Sequence, residues 1–408
     1  MYILDTFVHY LGYRQQHGMV ALKNPSQPEH YFLLHTFVDT FPISGMLYTK
    51  KLLQTELDMS ANAGLGKVIS KNQEVVVSYL CNDIPAVRHG NGRDWWVVLN
   101  KRNSNCYYKI LVDGNGAHLY DSTCMDISIT YNNQTYSAFS PDGSKYAIVS
   151  YVDGIVLFDF DRCTGSLSNS KFISLPVLQD SGWVGLGLVF SPNSRFLYLS
   201  ATSRLLQYDL WSTDVAHSAD TVGKYDGYRS PFGSYFVYTQ AGPDGKIYIS
   251  CGNGENVYHV INRPDAKGDS CLFVQHGIQL PSFSVGVPNF PNYRLGALAG
   301  SACDTLTGLV ETERAEKERI IKVFPNPATD FITIDYGFTD WNKGEADLEI
   351  TNALGQIVHK QKLPMYSGYQ KLDISSYPSG VYNAFIMRGS SPNGGKGTVV
   401  AVAKWVKE

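Results

Sequence analysis

Phe139-Ser140-Pro141-Asp142-Gly143 leads into the apolar run Ala147-Ile148-Val149 and then Ile155-Val156-Leu157-Phe158. The same order returns twice. Phe190-Ser191-Pro192-Asn193-Ser194 precedes Phe196-Leu197-Tyr198-Leu199 and Leu205-Leu206-Gln207-Tyr208. Gly242-Pro243-Asp244-Gly245 precedes Ile247-Tyr248-Ile249-Ser250 and Val257-Tyr258-His259-Val260. The prolines at 141, 192 and 243 are evenly spaced, 51 residues apart. One period earlier stands Gly90, inside His89-Gly90-Asn91-Gly92-Arg93-Asp94-Trp95-Trp96-Val97-Val98-Leu99, the same turn-then-strand pattern without the proline. Tyr31-Phe32-Leu33-Leu34-His35 with Leu47-Tyr48 reads as a looser fifth unit.

A period near 50 with several short strands per repeat is that of propeller blades. Proline presets the first turn angle, and Asp-Gly suits the reversal between strands. A single blade cannot bury both of its faces, so blades stack around an axis. The expected fold is therefore all-β: a β-propeller with about five readable blades between residues 18 and 300, followed by a small β-sandwich. Phe7 to Gln16 read as the tail of an upstream element, so the start is expected to be truncated, short of a signal peptide and of a full blade set.

Composition agrees with strands. Tyr, Phe and Trp make up 13% of the 408 residues, Gly numbers 37, and only 17% are charged; such a chain favours sheets and tight turns over helical bundles. Its 34 basic and 37 acidic residues leave a net charge of −3, which excludes a polycationic nucleic-acid or anionic-membrane binder. No transmembrane segment is readable: the stretch from Cys271 to Tyr293 lacks charge but is broken by Pro281, Pro288 and Pro291. Met1-Tyr2-Ile3-Leu4-Asp5 lacks the basic start of a secretory leader. Seven cysteines are dispersed without CxxC or Cys/His clustering, so no zinc site is expected. A Cys106–Cys124 disulfide is one pairing that spacing leaves open.

The composition shifts once. Glu311 to Arg319 is charged at seven of nine positions and reads as a solvated linker. The expected division is a propeller over 1–305, a charged linker over 306–319 and a second domain over 320–408. There Phe331-Ile332-Thr333-Ile334, Asp347-Leu348-Glu349-Ile350, Gln356-Ile357-Val358-His359, Tyr369-Gln370-Lys371-Leu372, Val381 to Ile386 and Val399 to Val406 alternate like the strands of a sandwich.

That second domain resembles a known family. Val323-Phe324-Pro325-Asn326-Pro327-Ala328-Thr329-Asp330, Leu354-Gly355-Gln356-Ile357-Val358, Leu372-Asp373-Ile374-Ser375 with Pro378-Ser379-Gly380-Val381-Tyr382, and Lys404-Trp405-Val406-Lys407 are similar, in order, to the motifs of the type A C-terminal sorting domain of the type IX secretion system. The resemblance implies a β-sandwich that directs cargo across the outer membrane and is then cleaved by a sortase. Its implied partners are that outer-membrane machinery and its sortase. Pro325, Asn326, Pro327, Asp330, Gly355, Gly380, Tyr382 and Lys404 are carried over as sorting-signal residues. Taken singly, Gly355, Gly380 and Tyr382 read as plain sandwich construction; as a set with the other motifs they identify a sorting domain. The first 300 residues, through Gly64-Leu65-Gly66-Lys67-Val68, the His89–Trp96 stretch, Phe158-Asp159-Phe160-Asp161-Arg162-Cys163-Thr164-Gly165 and Pro288-Asn289-Phe290-Pro291-Asn292-Tyr293-Arg294, resemble WD-like propellers that accompany such sorting domains. That resemblance implies location and fold, and no reaction.

Catalytic signatures are sparse. There is no Gly-x-Ser-x-Gly elbow and no HExxH pair. Gly394-Gly395-Lys396-Gly397-Thr398 has Gly where a phosphate loop needs Ser or Thr, and reads as a turn. Asp113-Gly114-Asn115-Gly116 hints at calcium but lacks the ligand ladder, and reads as a hairpin. Two clusters remain. His89, Arg93, Asp94, Trp95 and Trp96 could seat a polar or sugar ligand, or could satisfy a turn with at least one Trp in the core. Asp159, Asp161 and Arg162 could hold a cation, or could brace neighbouring blades as a buried Asp–Arg pair. No cofactor is required by these residues, with Ca²⁺ the one candidate. The reading is an exported surface or secreted propeller that reaches its site via the periplasm and binds a protein or glycan. Its rival is a propeller hydrolase, a lactonase or glycan-cleaving enzyme, working through channel carboxylates or a cation.

Overall fold

A computed structural model describes residues 17–40, 47–129, 135–150, 152–175, 186–229, 232–304, 321–337, 346–353, 355–363, 367–388 and 398–408. The proposed linker over 306–319, Leu354 and Gly394–Gly397, and the segment before His17 lie outside these. The chain divides into two compact units, Met1–Thr305 and Leu306–Glu408.

In the first unit, twenty strands form five four-stranded antiparallel sheets among the described residues, each built from consecutive strands. The first holds β1 (Met19–Lys23), β2 (His30–Thr40), β3 (Leu47–Asp58) and β4 (Lys67–Leu80). The second holds β5 (Ala86–Arg88), β6 (Trp95–Asn100), β7 (Ser104–Asp113) and β8 (Gly116–Ile129). The third holds β9 (Thr135–Phe139), β10 (Lys145–Ser150), β11 (Gly154–Asp161) and β12 (Ser166–Ile173). The fourth holds β13 (Leu186–Phe190), β14 (Phe196–Ala201), β15 (Arg204–Asp209) and β16 (Asp220–Lys224). The fifth holds β17 (Thr239–Ala241), β18 (Ile247–Ser250), β19 (Glu255–Ile261) and β20 (Phe273–Ser284). Among the described residues the helical content is three short 3₁₀ turns. The unit is propeller-like.

The 51-residue repeat is the turn between the first and second strands of a sheet. His89, Ser140 and Ser191 each donate N–H to the carbonyl five residues on, and Gly242 to the carbonyl four residues on. The carbonyl of each accepts from the residue three ahead: Gly92, Gly143, Ser194 and Gly245. All four of these donor residues have positive φ, which explains why Gly occupies three of the positions.

The second, third and fourth sheets pack their two faces against different neighbours. Trp95, Val97 and Leu99 of β6 join a core with Phe32, Leu34 and Leu52 of the first sheet. Trp96 and Val98 face Tyr146, Ile148 and Phe158 of the third. Ala147 and Val149 turn to Leu197 and Leu199 of the fourth, whose Phe196 and Tyr198 turn to Ile247 and Ile249 of the fifth. Alternating side chains are thus buried on both faces, which makes the middle strands continuous apolar runs.

Cys106–Cys124 and Cys163–Cys303 are disulfides, and Cys81, Cys251 and Cys271 are free and buried. The Asp113–Gly116 segment is a hairpin turn between β7 and β8, with Asp113 Oδ1 accepting from Asn115 N at 2.8 Å.

The second unit holds two sheets. One is three-stranded, from β21 (Ile321–Phe324), β22 (Phe331–Gly337) and, at its far edge, the strand Ser367–Asp373. The other is ordered β24-β23-β26-β27, with β23 Ala346–Asn352, β24 Ile357–Leu363, β26 Gly380–Arg388 and β27 Thr398–Lys407; the edge strand of the first sheet is β25. Ile332 and Ile334 from one sheet and Leu348, Ala384 and Trp405 from the other share a single core.

Candidate functional site

The five residues proposed as a ligand cluster are gathered at the β5–β6 turn, but they are engaged within the protein: Arg93 with Asp94, His89 with Trp96, and Trp95 with the first sheet. Asp94 is buried and accepts from Arg93 Nε at 2.9 Å, Arg93 Nη2 at 3.0 Å and Asn91 Nδ2 at 2.7 Å. His89 is stacked on Trp96 with ring centroids 5.3 Å apart, and burial lowers its pKa. Both tryptophans are core, at 0% and 1% exposure. Strand alternation left at least one of them for the core. Two flanking sheets claim both. Trp96 Nε1 donates to the Arg162 carbonyl at 2.8 Å, and Trp95 Nε1 to the Lys23 carbonyl at 3.3 Å.

The second cluster also resolves into braces. Asp159 pairs with Lys145 and accepts from Asn169 Nδ2 at 2.7 Å; Asp161 holds its own turn through Cys163 N and Thr164 Oγ1. The anticipated Asp–Arg brace is corrected in its partner. Buried Arg162 donates to backbone carbonyls: Nε to Arg88 at 2.8 Å, Nη2 to His89 at 3.2 Å and to Gly296. Asp159 is part-exposed and Asp161 exposed, whereas Arg162 is buried among the carbonyls it bonds.

Sequence reasoning missed a cavity. The first strands of the second to fifth sheets, β5, β9, β13 and β17, border a space of about 340 Å³. Its wall is mostly apolar, with Val87, Phe139, Leu188 and Phe190 among the lining residues. Two lining residues carry buried polar atoms that have no hydrogen-bond partner among the described residues, His17 Nε2 and Thr239 Oγ1. Burial brings the His17 pKa down to about 4, so the imidazole is neutral at pH 7. Such a wall suits a small uncharged molecule able to hydrogen-bond.

The Pro288–Arg294 motif straps this cavity. Asn289 Nδ2 reaches the carbonyls of His17, Met19 and Ile84 at 3.0–3.1 Å. Asn292 Nδ2 donates to Pro141 O at 2.9 Å, Arg294 Nη1 to Pro243 O at 3.2 Å and Tyr293 Oη to Ala21 O at 2.6 Å. Leu298 N then donates to Gly90 O at 2.7 Å, and Cys303 ties the strap to Cys163. The strap therefore joins sheets far apart in sequence. Its signal in the chain was the density of Asn and Pro, residues that offer side-chain donors and stiff backbone without forming a strand.

In the second unit the sorting residues lie along both sheets. Asn326 clasps β27, with Nδ2 to Lys404 O at 3.3 Å and Oδ1 from Val406 N at 2.9 Å. Pro325 and Pro327, both in cis peptides, flank it. The Asp330 carbonyl accepts from Ile374 N at 2.9 Å. Gly355 has φ +78 in the turn before β24, and Gly380 opens β26. Tyr382 donates to Pro378 O at 2.7 Å and stacks on Trp405 at 4.8 Å. Lys404 is exposed on β27. Two short edges are thereby stitched by one N-terminal clasp. Residues 322–398 match the secretion system C-terminal sorting domain. A sorting domain of this kind marks a chain for export by the type IX system, and the Asn326 clasp is part of its frame. Among the described residues no helix is long and apolar enough to cross a membrane.

No curated protein matches the chain. Solved structures do. The extracellular domain of a one-component system protein from B. thetaiotaomicron is 10% identical over 95% of this chain and 49% of its own, with a TM-score of 0.33. Sqt1 of Saccharomyces cerevisiae is 10% identical over 94% and 85%, with a TM-score of 0.33. The calcium-binding protein regucalcin of Agrobacterium tumefaciens is 15% identical over 69% and 95%, with a TM-score of 0.32. The chain spans about half the length of the B. thetaiotaomicron protein, 49%.

Proposed function

We propose that this chain is a type IX cargo protein, a five-bladed β-propeller over 1–305 carried to the cell surface or medium by a β-sandwich sorting domain over 320–408. The observation that carries this reading is the sorting-domain match over 322–398. The sandwich is read by the outer-membrane secretion machinery and its sortase, and Pro325, Asn326, Pro327, Asp330, Gly355, Gly380, Tyr382 and Lys404 carry the sorting signal. The propeller is the payload, a binding or scaffolding module for a surface protein or glycan. In support, its polar clusters at His89–Trp96 and Asp159–Arg162 are consumed in bracing the sheets, which leaves the loops and the strapped cavity as its free recognition features. Deleting residues 320–408 tests the sorting claim in the native host. Retention of the truncated protein in the periplasm is expected; its normal appearance on the surface or in the medium overturns the claim.

A further inference from the structure

His276 of the fifth sheet meets Ser234 and Asp226 of the β16–β17 segment in a polar cluster that neither the sorting domain nor the cavity uses. Ser234 Oγ lies 2.8 Å from His276 Nε2. The other imidazole nitrogen, Nδ1, faces Asp226 Oδ2 at 3.8 Å. Serine, imidazole and carboxylate thus stand in the order that activates a hydroxyl, with the base between nucleophile and acid. Among the described residues the Ser234 hydroxyl has one further hydrogen-bond partner, the Tyr228 carbonyl at 3.3 Å, and the imidazole is the nearer of the two.

The backbone spends strain to make this meeting. Val260 pairs with Val274 and Tyr258 with Ile278, so three residues of β20, Gln275 to Gly277, stand opposite His259 alone. His276 sits in that bulge with φ +54, a conformation disfavoured for a residue with a Cβ. Bulges re-aim side chains, and unusual φ values held by their surroundings gather at functional sites. Here the holder is buried His259, whose Nδ1 accepts from His276 N at 3.2 Å. Burial lowers the His259 pKa to about 4, so it stays a neutral acceptor. The serine side is pinned as firmly. Asn253 Nδ2 donates to Gly233 O at 2.6 Å, and fully buried Glu255 accepts from Phe232 N at 2.5 Å.

We propose that Ser234, His276 and Asp226 form an acyl-accepting site for short-chain carboxylate esters, with Asp226 positioning the imidazole. Ser234 Oγ bonds to the ester carbonyl carbon while its proton passes to His276 Nε2. The carbon–alkoxy bond breaks, and the leaving oxygen takes that proton. Water then attacks the acyl-serine through the same base, releasing the acid and restoring the hydroxyl. Ser234 is buried, and beside its base stands a partly exposed ring: Tyr228 lies 4.3 Å from the His276 ring and is itself 42% exposed. The substrate enters by displacing that ring.

The test uses the full chain, a fluorophosphonate probe and mass spectrometry of the labelled peptide, alongside hydrolysis of p-nitrophenyl acetate. Labelling is expected at Ser234, absent in Ser234→Ala and slowed about 100-fold or more in His276→Ala, in line with loss of a general base. Tyr228→Ala removes the ring beside the base and should label several-fold faster than the parent. Asp226→Asn should shift the acidic limb of the pH–rate profile, which loss of packing alone would not do. Absence of label at Ser234 in both the parent and a folded Tyr228→Ala protein overturns the proposal, as does labelling that survives Ser234→Ala. Secretion is scored separately, so failure here leaves the sorting reading untouched.

Discussion

Gly90 donates its N–H to the Arg162 carbonyl at 2.8 Å, at the one position of the four-fold turn repeat where Pro141, Pro192 and Pro243 have no N–H to give. A Cβ at Gly90 would also fall onto the Cys303 sulfur and lie 2.9 Å from that of Cys163. The missing proline is thus a consequence of the disulfide and of Arg162. Gly90→Ala should destabilise the N-terminal unit by about 1–3 kcal/mol, and Gly90→Pro by more, since it also removes the donor. Urea unfolding followed by tryptophan fluorescence measures both. In a Cys163→Ala/Cys303→Ala background the alanine should cost clearly less; an equal cost in both backgrounds would refute the steric account.

The strap has a similar dependence on one side chain. Asn289→Ala leaves the His17, Met19 and Ile84 carbonyls without their shared donor and should cost about 1–3 kcal/mol. Asn289→Asp should be worse, because it places an acceptor against three acceptors. Chemical denaturation of the two variants settles the order.

Asp83 supplies a pH signature. It is buried, and desolvation raises its pKa from 3.8 to about 6 despite hydrogen bonds from Ser137 N at 2.6 Å and the Ser137 hydroxyl. The folded state therefore binds this proton more tightly than the unfolded one. Stability from this group is full below pH 4, falls as pH rises to about 6 and is flat above, a change of about 3 kcal/mol at 1.36 kcal/mol per unit. Asp83→Asn should remove that fall. The check is the difference between parent and variant in unfolding free energy at pH 4 and pH 7, in which the opposite contributions of His17 and His259 cancel.

In the sorting domain, Trp405 is fully buried between Tyr382 and the shared core. Trp405→Ala should destabilise it by about 3–5 kcal/mol, and export in the native host should fall with it. Trp405→Phe should retain most of both. Export unaffected by a Trp405→Ala domain that no longer folds would show that the machinery reads a linear segment and not the assembled sheets.

The repeat turns were legible because their chemistry is local. Pro141, Asp142 and Gly143 determine backbone angles within four residues, and the strands after them announce themselves as apolar runs. The sorting motifs were legible for a related reason, since Asn326 and its prolines sit together in the chain. The His89–Trp96 cluster was legible as a cluster and not as a brace: the sequence places five functional-looking groups side by side but does not say that sheets on either side consume them. Arg162 was assigned an acidic partner because charge pairing is what sequence exposes, whereas its acceptors are carbonyls of Arg88, His89 and Gly296 that any residue would carry.

By itself, then, the sequence determined an all-β repeat with several short strands per unit, a second strand-rich domain and the sorting character of residues 322–398. The first two follow from spacing, turn residues and side-chain alternation within tens of residues, and the third from the likeness of its motifs to those of a known family. Tertiary structure alone decided that both tryptophans are core, that Asn289 bonds carbonyls 205 to 272 residues away, and that a bulge in β20 carries His276 to Ser234, 42 residues earlier. Those contacts depend on which sheet faces stack and on where a strap crosses them. Backbone carbonyls and φ values leave no mark in the order of side chains, so only the folded chain could place them.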